Sequence, residues 1–319
     1  MKVVITGRVP SAAVEMLAAE HHVTSWDSET LVSREELLQR VAGADAIVSL
    51  LTERVDAELL DAAGPQVRVV ANVAVGYNNI DLAACRERNV VTTNTPGVLT
   101  DATADIAMAL ILMSTRRLSE GERVIRSGTP WQWGMFYMLG AGIQGRRLGI
   151  VGMGQIGAGL ARRAAAFGMT IAYSNRNAIA DELAAELGCV RLDMDELLAT
   201  SDVVSLHCPY SPATHHLIGA TELGRMRSSA YLINTARGPV VDEAALADAL
   251  QAGTIAGAGL DVFENEPAVH PALLELDNVV LIPHLGSATV ETRTAMATLA
   301  ATNVLAVLRG EQAPTPISA

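Results

Sequence analysis

Three polar side chains have types that could do chemistry together: Arg237, Glu266 and His284, each of which follows a short apolar run. An arginine presents a planar fork of donors that suits a carboxylate, and a histidine can give or take a proton near neutral pH. A carboxylate beside the histidine favours the charged imidazolium. Taken singly, they could equally be a salt-bridge arginine, a turn residue before Pro267 and a hydrogen-bonded core histidine. As a set they indicate a site that binds a small acid and moves a proton.

The runs before these residues are typical of buried parallel strands. SAYLINTA precedes Arg237, IAGAGL precedes the LDVFENEP segment that holds Glu266, and NVVLIP precedes His284. In a doubly wound sheet the carboxyl ends of the strands converge on one crevice. We therefore expect the three side chains to meet there.

The whole chain alternates strand-like and helix-like patterns, which predicts an α/β protein with parallel sheets. Strands are expected at 3–6, 46–50 and 67–72, with a capping-box start, Ser33 followed by Glu36, on one of the helices between them. Further along, the sequence predicts one long helix from Thr100 through LILMSTRRL, an irregular aromatic segment and six more strands. A last helix is expected to end at Gly310. We therefore predict two doubly wound parallel-sheet domains, with the cleft between them as the place for a small molecule.

The bulk composition excludes several classes of partner. The 319 residues are 50% hydrophobic and carry a formal net charge of −12. An acidic surface argues against nucleic acid and against anionic membranes, because it lacks an excess of cations to neutralise phosphates. The three cysteines show no zinc spacing, no run reaches the ~20 apolar residues of a membrane span, and the first strand does not resemble a signal segment. We therefore expect a cytoplasmic protein without a metal site.

The strongest local motif is VGMGQIG, which places Gly152, Gly154 and Gly157 in the spacing G-x-G-x-x-G. It follows a strand pattern and opens a helix pattern, which is the context of a dinucleotide-binding turn. The first glycine allows the turn, the second lets the backbone approach a pyrophosphate, and the third lets helix and strand pack closely. The bland alternative is a glycine-rich turn without a ligand.

The end of the next strand, IAYSNRN, indicates which dinucleotide is bound. A site for NAD places Asp or Glu here to accept from the ribose hydroxyls, whereas this chain has Ser174, Asn175 and Arg176. Arg176 could hold a 2′-phosphate through a charge-assisted hydrogen bond. We therefore predict NADP(H) as the preferred cofactor; if Arg176 is only a solvated loop charge, NAD(H) also binds.

Seven motif-bearing segments follow one another along nearly the whole chain: VGYNNIDLAACRERNVVTTNTPGV, VLTDATADIAMALIL, GIVGMGQIG, LHCPYSPATHHLI, LINTARGPVVDEAAL, GAGLDVFENEP and IPHLGSAT. In this order they resemble the D-isomer-specific 2-hydroxyacid dehydrogenase family. The resemblance implies a Rossmann nucleotide-binding domain at 99–287 and a smaller, flavodoxin-like substrate domain formed by 1–98 and 288–319. It also implies transfer of hydride between a nicotinamide cofactor and a small 2-keto acid.

The resemblance also assigns roles to individual residues. His284 would be the acid/base, Glu266 would orient it, and Arg237 would bind the substrate carboxylate and keto oxygen. Further substrate contacts would come from Leu51, Val75, Gly76 and Trp131. The cofactor would lie against Thr103, Gly152, Gly154, Gln155, Ile156, Gly157, Asn175, Arg176, Cys208, Pro209, Thr214, Thr235, Ala236, Asp261 and Gly286.

Within the family, the chain is most similar to the glyoxylate/hydroxypyruvate reductase branch. The similarity lies in LLTERVD, NTPGVLTDATAD, the aromatic segment around Trp131, and YSNR. Either Trp131 or Trp133 could close the substrate pocket. The apolar DATADIAMALILM helix is interpreted either as buried core or as the interface of a homodimer, which the resemblance favours.

Two alternatives stay open at this point. The chain could act on another family substrate, such as a phosphoglycerate, a bulkier 2-keto acid or phosphite. It could instead be an NAD(H)-sensing corepressor, in which peptide binding replaces catalysis. Such a corepressor would be expected to carry an extended regulatory tail, and the chain ends soon after Gly310.

Overall fold

The computed structural model describes residues 1–317, which divide into two compact units. Unit 1 contains residues 1–99 and the chain from 288 onward, and unit 2 contains residues 100–287. Each unit is built on its own parallel sheet, which confirms the predicted α/β class with two parallel-sheet domains. Of the helices in the described chain, none combines the length and the hydropathy that crossing a membrane requires.

Unit 1 has a five-stranded sheet in the order β2-β1-β3-β4-β5. Its strands are β1 (Lys2–Ile5), β2 (His22–Ser25), β3 (Ala46–Ser49), β4 (Val69–Asn72) and β5 (Val91–Thr93). Its helices are α1 (Ser11–Ala18), α2 (Arg34–Val41), α3 (Ala57–Ala63), α4 (Leu82–Glu87) and, from the far end of the chain, α13 (Val290–Leu308). Alternate strand residues point to opposite faces: Val3 and Ile5 pack with α1 and α13, and Val4 packs with α2, α3 and α4.

Unit 2 has a seven-stranded sheet in the order β12-β11-β10-β9-β6-β7-β8. The strands are β6 (Arg147–Val151), β7 (Thr170–Ser174), β8 (Cys189–Arg191), β9 (Val203–Leu206), β10 (Tyr231–Asn234), β11 (Gly257–Leu260) and β12 (Val279–Leu281). The helices are α5 (Thr100–Thr115), α6 (Leu118–Arg126), α7 (Gln155–Ala166), α8 (Asp181–Leu187), α9 (Met194–Thr200), α10 (Ala220–Arg225), α11 (Glu243–Gln251) and α12 (Pro271–Leu274). The strand order reverses between β6 and β9, which is where doubly wound sheets bind ligands.

Several helices begin where a short polar side chain caps the first turn. The Ser33 side chain accepts from the Glu36 N–H, as the capping-box pattern predicts. Asp56, Asp81, Asp193, Asp242 and Thr289 cap α3, α4, α9, α11 and α13 in the same way. The last helix stops before Gly310, whose φ of 84° confirms the predicted end.

The structure corrects two predictions about unit 2. The sheet has seven strands and not six, because the three-residue strand β8 escaped the sequence pattern. The prediction of one long helix from Thr100 through LILMSTRRL is wrong, since α5 ends at Thr115. Arg117 then takes a left-handed φ of 53° before α6 begins.

Candidate active site

The carboxyl ends of the unit 2 strands lie level with one another. Asn234 pairs with Leu206 of β9 and with Leu260 of β11, and Leu260 pairs with Leu281 of β12. The segments that follow these strands carry Arg237, Glu266 and His284. The topology therefore starts all three segments from the same edge of the sheet.

The three glycines of the β6–α7 turn each have a distinct surrounding. Gly152 has a φ of 98°, and a Cβ there would lie 2.5 Å from the Cys208 nitrogen. A Cβ on Gly157 would lie 2.6 Å from the Gly152 oxygen, so helix and turn pack without room for a side chain. A Cβ on Gly154 would meet no atom of the described chain within 4 Å. The open side of Gly154, at the start of the twelve-residue helix α7, fits the approach of a pyrophosphate.

Asn175 and Arg176 follow β7 at the same edge as this turn. The Asn175 Oδ1 accepts from the Met153 N–H at 2.7 Å, so this side chain holds the glycine turn. Arg191, on the strand that the sequence analysis missed, donates to the carbonyls of Asn175 and Arg176, each at 2.9 Å. The Arg176 side chain is exposed, and no carboxylate occupies 174–176. This end of the site is therefore cationic.

The turn that carries Arg237 is shaped by the last residue of β10. Asn234 accepts from the Ala236 N–H and donates to the Arg237 carbonyl, both at 3.0 Å. A Cβ on Gly238 would lie 1.8 Å from the carbonyl carbon of Phe263. The Arg237 turn thus rests directly on the backbone of the segment that leads to Glu266.

His284 and Glu266 form a hydrogen-bonded pair. The His284 Nδ1 lies 2.8 Å from the Glu266 Oε2, and the Glu266 Oε1 accepts from the Phe263 N–H at 3.0 Å. With Nδ1–H directed at the carboxylate, Nε2 becomes the ring nitrogen that can exchange a proton with a substrate. The two side chains are 27% and 30% exposed, which leaves the pair accessible to a small molecule.

Charge links this pair to Arg237. Burial alone would raise the pKa of the Glu266 carboxyl, but the hydrogen bond and charge of His284, with help from Arg237, lower it below its ordinary value. Burial lowers the pKa of the Arg237 guanidinium, and the negative charge of Glu266 opposes that shift. The structure therefore brings the predicted guanidinium, imidazole and carboxylate into one electrostatic group.

Asp261 fixes the loop on which His284 sits. Its buried carboxylate accepts from the N–H groups of Leu285 at 2.5 Å and Gly286 at 2.8 Å. The Thr103 hydroxyl donates to the Gly286 carbonyl at 3.1 Å. Burial raises the pKa of Asp261, and the Leu285 N–H is foremost among the groups that oppose the rise. Three of the residues assigned to the cofactor thus lie together around the histidine loop.

The remaining predicted cofactor residues of unit 2 follow β9 and β10. Burial raises the pKa of the Cys208 thiol to about 11, so it stays protonated and is no nucleophile. The Thr214 hydroxyl donates to the Pro209 carbonyl at 2.9 Å, which closes the loop after Cys208. The Thr235 Oγ1 is buried and has no hydrogen-bond partner within residues 1–317. A buried polar atom without a partner fits a site that a polar ligand completes.

In unit 1, the predicted substrate residues lie in two loops. The carbonyls of Val75 and Gly76 accept from the side chains of Asn94 at 2.8 Å and Asn72 at 3.0 Å. No hydrogen bond from the N–H of either residue is found in the described chain. Leu51 is 39% exposed. The two asparagines, which the sequence analysis missed, hold this loop with its backbone donors available.

The aromatic segment after α6 is exposed. Trp131 stacks on Tyr137 with ring centroids 6.3 Å apart. Trp131 and Trp133 are 54% and 75% exposed, and Met135, Phe136 and Leu139 are similarly open. No ring contact places either tryptophan beside His284 within residues 1–317. A role of Trp131 in substrate binding therefore stays a prediction.

Comparisons with known proteins give consistent matches. Residues 108–286 match the family model described as D-isomer specific 2-hydroxyacid dehydrogenase, NAD binding domain. A glyoxylate reductase of Thermococcus onnurineus is 48% identical over 322 aligned positions, which cover 99% of this chain and 96% of that protein.

Solved structures agree over the full length of the chain. A Thermus thermophilus protein superposes with a TM-score of 0.93 at 42% identity and full coverage of both chains. An NADPH-dependent glyoxylate/hydroxypyruvate reductase of Sinorhizobium meliloti, in complex with NADP and malonate, gives a TM-score of 0.85 at 34% identity. That match covers 99% of this chain and 96% of the other.

Proposed function

Since the chain belongs to the D-isomer-specific 2-hydroxyacid dehydrogenase family, we propose that it reduces small 2-keto acids, glyoxylate and hydroxypyruvate, to D-2-hydroxy acids with NADPH. The chain is an NAD(P)-dependent oxidoreductase with a Rossmann-type fold. The observation that carries the proposal is the 2.8 Å pair of His284 and Glu266, electrostatically coupled to Arg237 at the carboxyl edge of the sheet. Relatives named glyoxylate reductase support the choice of substrate.

In the proposed mechanism each charged side chain has one task. Arg237 binds the substrate carboxylate and the keto oxygen. His284 gives its Nε2 proton to that oxygen as negative charge develops there, and Glu266 holds the imidazolium. When bound, the nicotinamide supplies the hydride. In unit 1, the backbone N–H groups of Val75 and Gly76 are proposed to bind the carboxylate, and Leu51 is proposed as a further substrate contact.

We assign the nucleotide to unit 2 and substrate selection to unit 1. The three glycines, Gln155 and Ile156 at the start of α7 would bind the pyrophosphate. Thr103, Cys208, Pro209, Thr214, Thr235, Ala236, Asp261 and Gly286 would line the nicotinamide half. The unpartnered Thr235 hydroxyl and the grouping of Thr103, Asp261 and Gly286 support this assignment.

The preference for NADPH rests on the cationic end of β7. Arg176 would bind the 2′-phosphate, and Asn175 keeps the glycine turn in place through Met153. Exchanging this surface for an acidic one, with Asn175→Asp and Arg176→Ala together, should turn the preference from NADPH towards NADH by about tenfold or more. The ratio of kcat/KM for the two cofactors measures it, with Arg227→Ala as a control arginine elsewhere in unit 2. An unmoved ratio would exclude this assignment.

We also propose that the protein is a homodimer. The sequence suggests two roles for helix α5, either buried core or dimer interface. Its side chains Ala104, Ala107, Leu110 and Ile111 are buried in the core of unit 2. A group of exposed apolar side chains lies on α6 and the segment after it: Leu118, Ile125, Trp131, Trp133, Met135, Phe136 and Leu139. A second copy of the chain would cover them. A monomeric mass in sedimentation velocity would contradict this proposal.

One experiment tests the function directly. A panel of 2-keto acids, from glyoxylate and hydroxypyruvate to bulky and phosphorylated members, is assayed with NADPH and NADH in parallel. We expect the highest kcat/KM for the two smallest acids with NADPH. Absence of turnover with every 2-keto acid would overturn the proposal, and a bulky or phosphorylated acid as the best substrate would correct it.

A further inference from the structure

Glu243 is a buried carboxylate that the proposed mechanism leaves without a task. It is the first residue of α11, next to the helix cap Asp242, in the same segment as Arg237. Only 4% of it is exposed. A carboxylate removed from water in this way needs hydrogen-bond donors in the protein.

The backbone N–H groups that donate to Glu243 come from the two ends of one loop. The Glu243 Oε1 accepts from the Glu264 N–H at 2.5 Å, and its Oε2 accepts from the His270 N–H at 3.2 Å. Glu266 lies between these two residues in the chain. A single buried side chain therefore pins the loop before and after the residue that pairs with His284.

Two further contacts help to fix the position of this loop. The backbone of Phe263 and Glu264 lies against Gly238, where a Cβ would find no room. The Glu264 carboxylate contacts the His216 ring on the other side. Within this loop the Phe263 N–H donates to the Glu266 Oε1 at 3.0 Å, and the Glu266 Oε2 lies 2.8 Å from the His284 Nδ1.

We propose that Glu243 is a positioning residue, which holds the loop 263–270 so that Glu266 meets the Nδ1 of His284. The inference rests on the proposed acid–base role of His284 and adds a residue that acts through another. The charged or titratable groups around the His284–Glu266 pair are Arg237 and Asp261. Those around Glu243 and its loop are Asp242, Glu264, His216 and His270.

Glu243→Gln tests the role with almost no change in shape. One oxygen becomes an NH₂ group, which faces a backbone N–H, so one end of the loop loses its acceptor. The measurement is the pH titration of the His284 ring resonances in the full chain, which a His284→Ala spectrum assigns. Glu222→Gln is the matched control, because Glu222 also accepts a backbone N–H, from Gly219 at 3.2 Å, in another part of unit 2.

We expect Glu243→Gln to lower the midpoint of the His284 titration by about half a pH unit, because the imidazolium loses part of its contact with a carboxylate. Glu266→Gln should lower it further. The double variant should match Glu266→Gln alone, because both changes act through one contact. Glu222→Gln should titrate like the parent.

A midpoint that stays at the parental value in folded Glu243→Gln would overturn the proposal, and so would an additive shift in the double variant. If Glu243→Gln does not fold, His270→Pro removes the second donor, at a residue whose φ of −57° suits proline, and His270→Ala is its control because it removes the ring but keeps the N–H. The same downward shift is expected in His270→Pro, and its absence would equally overturn the role. These titrations use neither keto acid nor cofactor. A failure of the keto-acid panel therefore refutes the function separately from this result.

Discussion

His284 carries the proton in the proposed reaction, so its removal has a definite expected effect. His284→Ala should lower kcat by about 10²–10⁴-fold, the usual contribution of general acid catalysis. Binding of NADPH, followed by its fluorescence, should change little. His22→Ala, an exposed histidine of unit 1, is the control and should retain parental turnover. Near-normal kcat in His284→Ala would exclude the proposed role.

Glu266 should set the pH dependence of the same step. Despite burial, the hydrogen bond and charge of His284 hold the pKa of the Glu266 carboxyl below the ordinary value, so the carboxyl remains ionised near neutral pH. Glu266→Gln removes that charge, and the neutral imidazole is then kept to lower pH. In the direction of hydroxy-acid oxidation, which needs the neutral ring, the acid limb of kcat/KM should move down by about one pH unit. An acid limb at the parental pH would refute the pairing.

At the scale of the elements, sequence patterns identified what is long and regular. The strand, glycine turn and helix around Gly152 follow directly from residue types, as do the caps at Ser33 and Gly310. The short strands β2, β5 and β8 were missed, because HVTS, VTT and CVR mix polar with apolar residues and lack the continuous apolar run that marked the other short strands. The helix break at Arg117 contains no proline or glycine, so no residue type in the sequence predicts it.

The same limit applies to the site. Arg237, Glu266 and His284 are predicted for the site from their positions after strands. Asn72, Asn94, Arg191 and Glu243 were not given roles, because they act by holding a distant backbone segment in place. Contacts of this kind depend on how loops fold back, which no local pattern encodes.

At Gly238 the loop that carries Arg237 touches the loop that carries Glu266, and a substitution there tests this contact. Gly238→Ala would place a Cβ inside the Phe263 carbonyl group, and we expect it to lower the free energy of unfolding by about 3 kcal/mol. Gly224→Ala is the matched control, since its Cβ meets no atom of residues 1–317 within 4 Å and helix α10 should gain slightly in stability from it. Denaturant unfolding compares them. Equal stability of the two variants would mean that the loops can separate without loss.

For the whole molecule, one partly buried histidine predicts how the free energy of unfolding depends on pH. Burial lowers the pKa of His207 to about 4, and its Nε2 lies 2.8 Å from the Ser205 hydroxyl. Below its unfolded pKa of about 6.5 the unfolded chain binds a proton that the folded chain excludes. Above that pH the ring is neutral in both states and does not reduce the free energy of unfolding. As the pH drops to about 4, proton binding by the unfolded chain lowers the free energy of unfolding by about 3 kcal/mol.

His207→Gln should remove this part of the acid sensitivity. Between about pH 7 and pH 4 its free energy of unfolding should fall less than that of the parent, by about 3 kcal/mol. Guanidinium unfolding at the two pH values measures the difference. Parallel losses in parent and variant would show that His207 is protonated in the folded protein.

Unit 1 is completed by the far end of the chain, and this affects the order in which the protein can form. Helix α13 covers Val3, Ile5, Val48 and Val69. During synthesis these strand residues leave the ribosome long before residues 290–308 exist. Unit 2 has no such gap and can fold as soon as it emerges. The nascent amino-terminal sheet must therefore keep the part of this apolar face that α13 covers exposed until residues 290–308 have been synthesised.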